Sequence, residues 1–111
     1  MKLSELADKA GLEVLVAGGD PDREVTGGYT SDLLSDVMGN AREGMVWITL
    51  QVHRNTIAVA SLKEVAAMVL IGGARPDEET LAQAREEGVA VLATTMPAFE
   101  TSGKIYQLLG Q

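Results

Sequence analysis

His53 is the only imidazole in the sequence, and it lies two residues after Gln51 and two before Asn55. A histidine acts as a general base when one residue orients it and a nucleophile lies within hydrogen-bond reach. Asp32 or Ser31 could supply these groups if the fold brings them beside His53. We expect a polar contact or a structural hydrogen bond from His53, and keep phosphoryl or acyl transfer as an alternative.

Neither of the common phosphate-binding motifs is present. Gly103-Lys104 is followed by Ile105, where a P-loop needs Ser or Thr. The glycine pairs at 18–19 and 72–73 lack the third glycine of a dinucleotide fingerprint, and both are typical of turns. The sequence therefore predicts no nucleotide cofactor.

A metal centre is also not expected. The chain has no Cys and one His, so thiolate sites and iron–sulfur clusters are excluded. Asp32 and Asp36 are four residues apart, a spacing at which two carboxylates on a helix repel each other mildly. We predict no metal ligands and no catalytic residues.

Glycine, hydroxyl and amide residues follow the predicted strands, where an open parallel sheet has its ligand crevice. Backbone N–H groups and helix N-termini in such loops can hold an anion, although the same residues also cap helices and form turns. The predicted ligand-binding residues are Gly27, Gly28, Thr30, Ser31, Asp32, Gln51, His53, Asn55, Thr94 and Thr95. They predict a site for a small anionic ligand at the strand ends.

Five apolar or β-branched stretches predict strands. They are Val14 to Ala17, Glu24 to Thr26, Met45 to Leu50, Ala67 to Ile71 and Val89 to Ala93. Gly27-Gly28 is expected to end the second strand and begin a loop. The connection between the first two strands is too short for a parallel crossover, so these strands are antiparallel or are not neighbours.

Five helices are predicted from their capping residues and prolines. They begin at Ser4, at Thr30 or Ser31, at Asn55, at Pro76-Asp77 and at Pro97. The stretch from Asn55 to Lys63 mixes helix and strand formers, and we predict a helix because it forms a right-handed crossover between two buried strands. The alternation of strands and helices predicts an α/β fold with a mainly parallel sheet and helices on both faces.

The length of 111 residues fits one small domain, 1–111. Sixteen acidic and nine basic residues give a net charge of -7, which disfavours binding to nucleic acid or an anionic membrane. The first ten residues include four charges, unlike a signal peptide, and no run reaches the roughly 18 apolar residues of a membrane helix. Together with the absence of Cys, these features predict a soluble cytoplasmic protein.

Phe99, Gly103 and Tyr106 fall on one stripe of the last predicted helix. The glycine exposes backbone and allows a close helix contact, either with the chain's own sheet or with another chain. We favour packing on its own sheet, while the same stripe motivates the prediction of a homodimer.

The run from Asp22 to Gly28 contains Asp, Arg, Thr, Gly and Gly in order, with Glu24 and Val25 between Arg and Thr. This run resembles the signature of the DRTGG domain family, and nearly the whole chain matches. Further similar positions are Tyr29 to Ser35, Trp47 to Thr49, Gln51, His53, Asn55, Ala58 to Ala60, Phe99-Glu100 and Tyr106. The resemblance rests on this ensemble of positions.

The resemblance implies a small α/β domain similar to the N-terminal domain of HPr kinase. Such domains occur alone, beside CBS modules in regulated pyrophosphatases, or next to phosphotransacetylase catalytic domains. No catalytic residues are established for the family, and nucleotide binding in its larger members is credited mainly to the CBS modules. The P-loop of the kinase belongs to a separate domain, so kinase activity is not implied here.

We therefore expect a non-catalytic regulatory module that forms a homodimer. It would bind a small anionic ligand, such as a nucleotide, or a protein partner through the loops after the strands. The alternatives are a small enzyme that uses His53 with Asp32 or Ser31, and a plain dimerisation or scaffold domain. A pocket that combines Gly28, Ser31, His53 and Asn55 would favour ligand binding, whereas scattered loops would favour the scaffold.

Overall fold

The computed structural model describes residues 1–110, which form one five-stranded sheet and five helices. The strands are β1 Glu13–Val16, β2 Gly27–Thr30, β3 Met45–Thr49, β4 Ala67–Leu70 and β5 Val91–Ala93. The helices are α1 Leu3–Lys9, α2 Leu34–Asn40, α3 Arg54–Leu62, α4 Glu78–Glu87 and α5 Ala98–Leu108. The predicted α/β class is therefore confirmed.

The strand order is β1-β5-β4-β3-β2, so the first two strands lie at opposite edges of the sheet. Strands β2 to β5 are parallel, and β1 pairs antiparallel with β5. The first two strands are therefore not neighbours, which is one of the two predicted arrangements, although the second strand is Gly27–Thr30 rather than Glu24 to Thr26. The carboxyl ends of the four parallel strands consequently share one edge of the sheet.

Helices cover both faces of the sheet, as predicted. One buried cluster joins α1 and α5 to the sheet through Leu6, Ile48 and Ile105. The opposite cluster joins α2, α3 and α4 through residues that include Trp47 and Ile57. Successive residues of β3 point to opposite faces, so its central residues are buried on both sides.

Helix α4 forms where its capping residues predict. The side chain of Asp77 accepts a hydrogen bond of 2.8 Å from the backbone N–H of Thr80, which lowers the pKa of Asp77. Gly88 ends the helix in the left-handed conformation, with a φ of 71°. The stretch predicted as a helix from Asn55 is also helical, but α3 begins at Arg54 with His53 at the N-cap.

The prediction that Gly27-Gly28 ends a strand is wrong. These glycines begin β2, and Gly27 to Thr30 pair in parallel with Met45 to Ile48. Neither glycine has a positive φ, and a Cβ on Gly28 would lie 3.4 Å from the Val46 side chain, which is ordinary contact. The tendency of glycine to form turns is overridden here because the backbone of Gly27 and Gly28 pairs with that of β3. The predicted strand from Glu24 is reduced to one bridge between Glu24 and Lys2.

Candidate functional site

The loops that follow β2, β3, β4 and β5 lie at the shared carboxyl edge, and we call them the strand-end loops. They span residues 31–33, 50–53, 71–77 and 94–97. Ser31, Asp32, Gln51, His53, Thr94 and Thr95 are in these loops, and Asn55 follows in the first turn of α3. Gly27 is instead paired with Met45 at the amino end of β3, so it lies at the opposite end of the sheet.

The carboxylate of Asp32 ties the loop after β2 to the end of β3. It accepts hydrogen bonds of 2.7 Å from the hydroxyl of Thr49 and 2.8 Å from the backbone N–H of Leu50. The carbonyl of Asp32 also accepts 3.1 Å from the side-chain amide of Gln51. Asp32 and Gln51 therefore have a structural role that sequence spacing alone could not identify.

His53 has its backbone carbonyl in use, as the acceptor of bonds from the backbone and the hydroxyl of Thr56. Its side chain is exposed and forms no hydrogen bond with any residue in 1–110. The oxygens of Asp32 bond to Thr49 and Leu50 rather than to His53. The geometry thus gives His53 no orienting carboxylate of the kind that a general base requires.

Thr30 and Ser31 form two different contacts. The hydroxyl of Thr30 is 2.8 Å from the hydroxyl of Ser102 on α5, which joins β2 to that helix. The side chain of Ser31 accepts from the backbone N–H of Leu33 at 3.2 Å, and its carbonyl accepts from the indole N–H of Trp47 at 2.9 Å. Contrary to the prediction, neither Thr30 nor Ser31 is the N-cap of α2, because that position belongs to Leu33.

A polar cluster that the sequence analysis missed lies between β2 and α2. The hydroxyl of Tyr29 is 2.8 Å from both carboxylate oxygens of Asp36, and the side-chain amide of Asn40 donates to Asp36 at 2.9 Å. Hydrogen bonds from the hydroxyls of Ser31 and Tyr29 lower the pKa of Asp36, and the hydrogen bond to Asp36 raises the pKa of Tyr29. The spacing of Asp36 and Asn40 on one helical face was the available signal.

The cavity at the ends of β4 and β5 contains two of the predicted site residues. Its volume is about 120 Å³, and Thr94 and Thr95 line it together with Gly73, Ala74, Arg75, Glu13 and Ala93. Arg75 forms an exposed ion pair with Glu13. Arg75 was missed by the sequence analysis, although a cation directly before Pro76 in a strand-end loop was a visible signal.

A second groove lies between β2 and α5 and contains Gly28 and Thr30. It has a volume of about 150 Å³ and is also lined by Ile48, Ser102, Ile105, Tyr106 and Leu109. The structure thus brings Gly28 close to Thr30, and Thr94 close to Thr95, in two separate depressions. Of the four residues whose shared pocket would favour ligand binding, Gly28 lines the groove, whereas Ser31, His53 and Asn55 line neither depression.

The expectation that Phe99, Gly103 and Tyr106 pack on the sheet is wrong. Phe99 is 87% exposed and Tyr106 is 60% exposed. The buried side of α5 is formed by Thr101 and Ile105, four residues apart, because these two positions face the sheet. We call Phe99, Gly103 and Tyr106 the α5 stripe.

The residues of the signature stabilise the amino end of the parallel strands. The guanidinium of Arg23 donates to the carbonyl of Glu64, which also accepts from the backbone N–H of Gly44 at 3.0 Å. Thr26 donates through its hydroxyl to Glu43 at 3.1 Å, and its N–H donates to Gly44 at 2.9 Å. These contacts lie away from the strand-end loops, so the signature holds the start of β2 against β3.

Among residues 1–110, no group of three or more His, Cys, Asp or Glu side chains could hold a metal ion. In the same residues, none of the helices has the length and hydropathy needed to cross a bilayer.

Comparison with known proteins finds a family model and several solved structures that are similar to this chain. The model of the DRTGG domain family matches residues 5–108. The crystal structure of the CBS and DRTGG domains of the regulatory region of Clostridium perfringens pyrophosphatase, complexed with activator diadenosine tetraphosphate, is similar in fold. The TM-score is 0.71 at 17% sequence identity, over 96% of this chain and 46% of that chain, so this chain spans less than half of that region. No curated protein sequence matches.

Proposed function

Because this chain belongs to the DRTGG domain family, we propose that it is a non-catalytic regulatory module that forms a homodimer and binds a nucleotide or a similar small anion. The observation that carries this proposal is the fold it shares with a regulatory region complexed with a nucleotide activator. The same proposal includes a protein partner that binds the module in its ligand-bound state. We also propose that the chain is cytoplasmic. It has no Cys, and proteins of the reducing cytosol rarely contain disulfides.

The strand-end loops around Arg75 are the ligand site in this proposal. Arg75 is the cation of the cavity that Thr94 and Thr95 line, and the exposed hydroxyl of Thr95 adds a donor. The pair with Glu13 is more than half exposed on both sides, and such pairs contribute about 0–1 kcal/mol. A phosphate can therefore replace Glu13 at little cost, because it binds a guanidinium through two parallel hydrogen bonds.

The hydrogen bonds of the other strand-end residues support a non-catalytic role. Asp32 is engaged by Thr49 and Leu50, and the side chain of His53 has no orienting partner in residues 1–110. The enzyme alternative predicts turnover of ATP or an acyl phosphate that is lost in His53→Ala. We expect no turnover with Mg²⁺ and ATP, and activity abolished by His53→Ala would contradict the proposal.

A thermal-shift screen tests ligand binding directly. The probes are ATP, ADP, diadenosine tetraphosphate and inorganic phosphate, and a ligand at 100 times its Kd adds about 2.7 kcal/mol of stability. Arg75→Ala and Thr95→Val should weaken binding at least several-fold by titration calorimetry. Arg42→Ala removes the same charge from the opposite end of the parallel strands and serves as the matched control.

The result separates the ligand site from the rest of the proposal. If a probe binds and both Arg75→Ala and Thr95→Val retain its affinity, the site lies elsewhere and His53→Ala and Asn55→Ala are tested next. If none of the nucleotides shifts the melting temperature at millimolar concentration, nucleotide binding is rejected.

A further inference from the structure

The α5 stripe is an exposed apolar surface with no partner in residues 1–110. Phe99 and Tyr106 are 87% and 60% exposed, and a Cβ on Gly103 would have no atom within 4 Å apart from its chain neighbours and the backbone of its own helix. Positions 99, 103 and 106 are spaced by four and three residues, so they form one line along the helix. A buried aromatic residue typically removes 150–250 Å² from water, which makes this line a strong contact surface once it is covered.

The charges that flank the stripe are balanced. Glu100 and Lys104 are both exposed, lie four residues apart and form no ion pair with any residue in 1–110. Helix α4 differs, because it exposes four carboxylates, those of Glu78, Glu79, Glu86 and Glu87. In a chain with a net charge of -7, two copies therefore repel each other less at α5 than at α4.

These positions are self-complementary when two copies of α5 run antiparallel. With a two-fold axis that passes between residues 102 and 103, Phe99 faces Tyr106 of the second copy. The same axis places Glu100 near Lys104 of the second copy, and Gly103 where the two helices approach closely. A parallel arrangement would instead place Glu100 and Lys104 of the two copies on opposite flanks of the helix pair, where these charges do not meet.

The groove beside the stripe completes the surface. It lies between β2 and α5, is bounded by Tyr106 and Ser102, and has a volume of about 150 Å³. Because Phe99 of the second copy faces Tyr106, its ring can enter this groove. Gly28 of β2 is one of the residues that line the groove, and its lack of a side chain leaves space for that ring.

We infer that this face binds a second copy of the chain through antiparallel packing of the two α5 helices, with each Phe99 in the groove of the other copy. The inference rests on the homodimer of the proposed function and gives it an interface. The residues that line the Arg75 cavity are different from those of the α5 stripe and of the groove beside it.

Sedimentation equilibrium of the full chain tests the interface. Phe99→Glu should weaken the dimer at least about 30-fold, as expected for a central aromatic anchor. Leu62→Glu is the matched control, because Leu62 is 69% exposed on α3, across the sheet from α5, and this variant should leave the dimer unchanged. Circular dichroism reports whether each variant is folded.

Charge reversal tests the antiparallel register. Glu100→Lys and Lys104→Glu should each weaken the dimer, because each places like charges opposite one another. The double variant should restore the affinity of the unmodified chain. If the double variant is as weak as the single variants, the register is wrong.

A cysteine cross-link gives a test that does not depend on weakening the dimer. The chain has no Cys, so Gly103→Cys introduces the only thiol, and mild oxidation should give a covalent dimer of native fold. A dimer that survives Phe99→Glu and does not cross-link overturns the inference and leaves the homodimer intact. A monomer at micromolar concentration overturns both, while the nucleotide titration still decides ligand binding.

Discussion

Asp32 shows how a residue that could do chemistry can be required for structure. Its carboxylate bonds to the hydroxyl of Thr49, which is 1% exposed, and to the N–H of Leu50. Removal of this charged acceptor leaves the buried O–H of Thr49 with no group to donate to, although its oxygen still accepts from the N–H of Gln51. Hydrogen bonds to charged groups contribute about 1.5–3 kcal/mol. The side chain therefore couples the first two strand-end loops to one another.

We expect Asp32→Ala to lower the free energy of unfolding by about 2 kcal/mol in urea denaturation. Ser35→Ala, an exposed change three residues later, should alter it by less than about 0.5 kcal/mol. Equal stability of the two variants would indicate that Asp32 serves a ligand or a reaction rather than the fold.

The Asp36 cluster makes stability depend on pH. Hydrogen bonds from the hydroxyls of Ser31 and Tyr29 lower the pKa of Asp36 below its ordinary value of 3.8. A carboxyl whose pKa is lowered on folding stabilises the folded chain above its unfolded pKa, and this contribution is lost as the pH falls through the folded pKa. The effect is therefore fully present at neutral pH.

Asp36→Asn should consequently melt at a lower temperature than the unmodified chain at pH 7, with a difference that shrinks below about pH 4. Calorimetry at several pH values measures this, and Tyr29→Phe should raise the pKa of Asp36 in an NMR titration. A melting difference that is the same at pH 3 and pH 7 would exclude the ionised carboxylate as the cause.

At the scale of elements, the sequence predicts best where a local signal and the topology agree. Helix α4 has its cap at Asp77 and its end at Gly88, and both signals are local. Helix α3 has mixed propensities, yet the need for a crossover between β3 and β4 predicts it correctly. The prediction of β2 is wrong because this strand is stabilised by pairing with β3. Local rules for the pair Gly27-Gly28 take no account of that pairing.

Site prediction has the same limit. The alternation of strands and helices identifies the strand-end loops, because parallel strands end on one edge. The partners of each side chain depend on register, so the bond between Asp32 and Thr49, 17 residues apart, is not visible in the sequence. The exposure of Phe99 was also missed. The side of α5 that is buried against the sheet includes the polar residue Thr101, so apolar residues alone did not identify that side.

Two glycines at the start of the parallel strands should respond differently to alanine. Gly28 has no positive φ and its Cβ would have ordinary contacts, so Gly28→Ala should be neutral or raise the free energy of unfolding by up to about 1 kcal/mol. Gly44 has a φ of 83°, and its Cβ would lie 2.9 Å from Thr26, so Gly44→Ala should cost more than about 1 kcal/mol. Equal effects in urea denaturation would contradict the assignment of Gly28 to β2.

The whole molecule is joined across its width by the segment before β2. The chain passes from β1 at one edge to β2 at the other, and on the way it bonds to the start of α1. Leu3 donates to the carbonyl of Arg23, and Val25 donates to the carbonyl of Met1, each at 2.9 Å. The N-terminal helix and the signature therefore form one structural unit that leaves the strand-end loops and the α5 stripe uncovered.

The charge of the whole molecule gives a prediction for its association. Two copies that each carry -7 repel at long range, and salt screens this repulsion, with a Debye length of about 10 Å at 0.1 M. The proposed contact through α5 is mainly apolar, and its exposed Glu100 and Lys104 pairs contribute at most about 1 kcal/mol each. The dimer should therefore tighten as the NaCl concentration rises from about 0.05 to 0.3 M.

Sedimentation equilibrium at both salt concentrations measures this change in Kd. The double variant with Glu100→Lys and Lys104→Glu keeps the net charge, so it should show the same dependence on salt. An interface held by ion pairs, such as one built on Arg54 and the carboxylates of α4, would respond in the opposite direction, because screening weakens attraction between unlike charges. A dimer that weakens with added salt would therefore move the contact away from the α5 stripe.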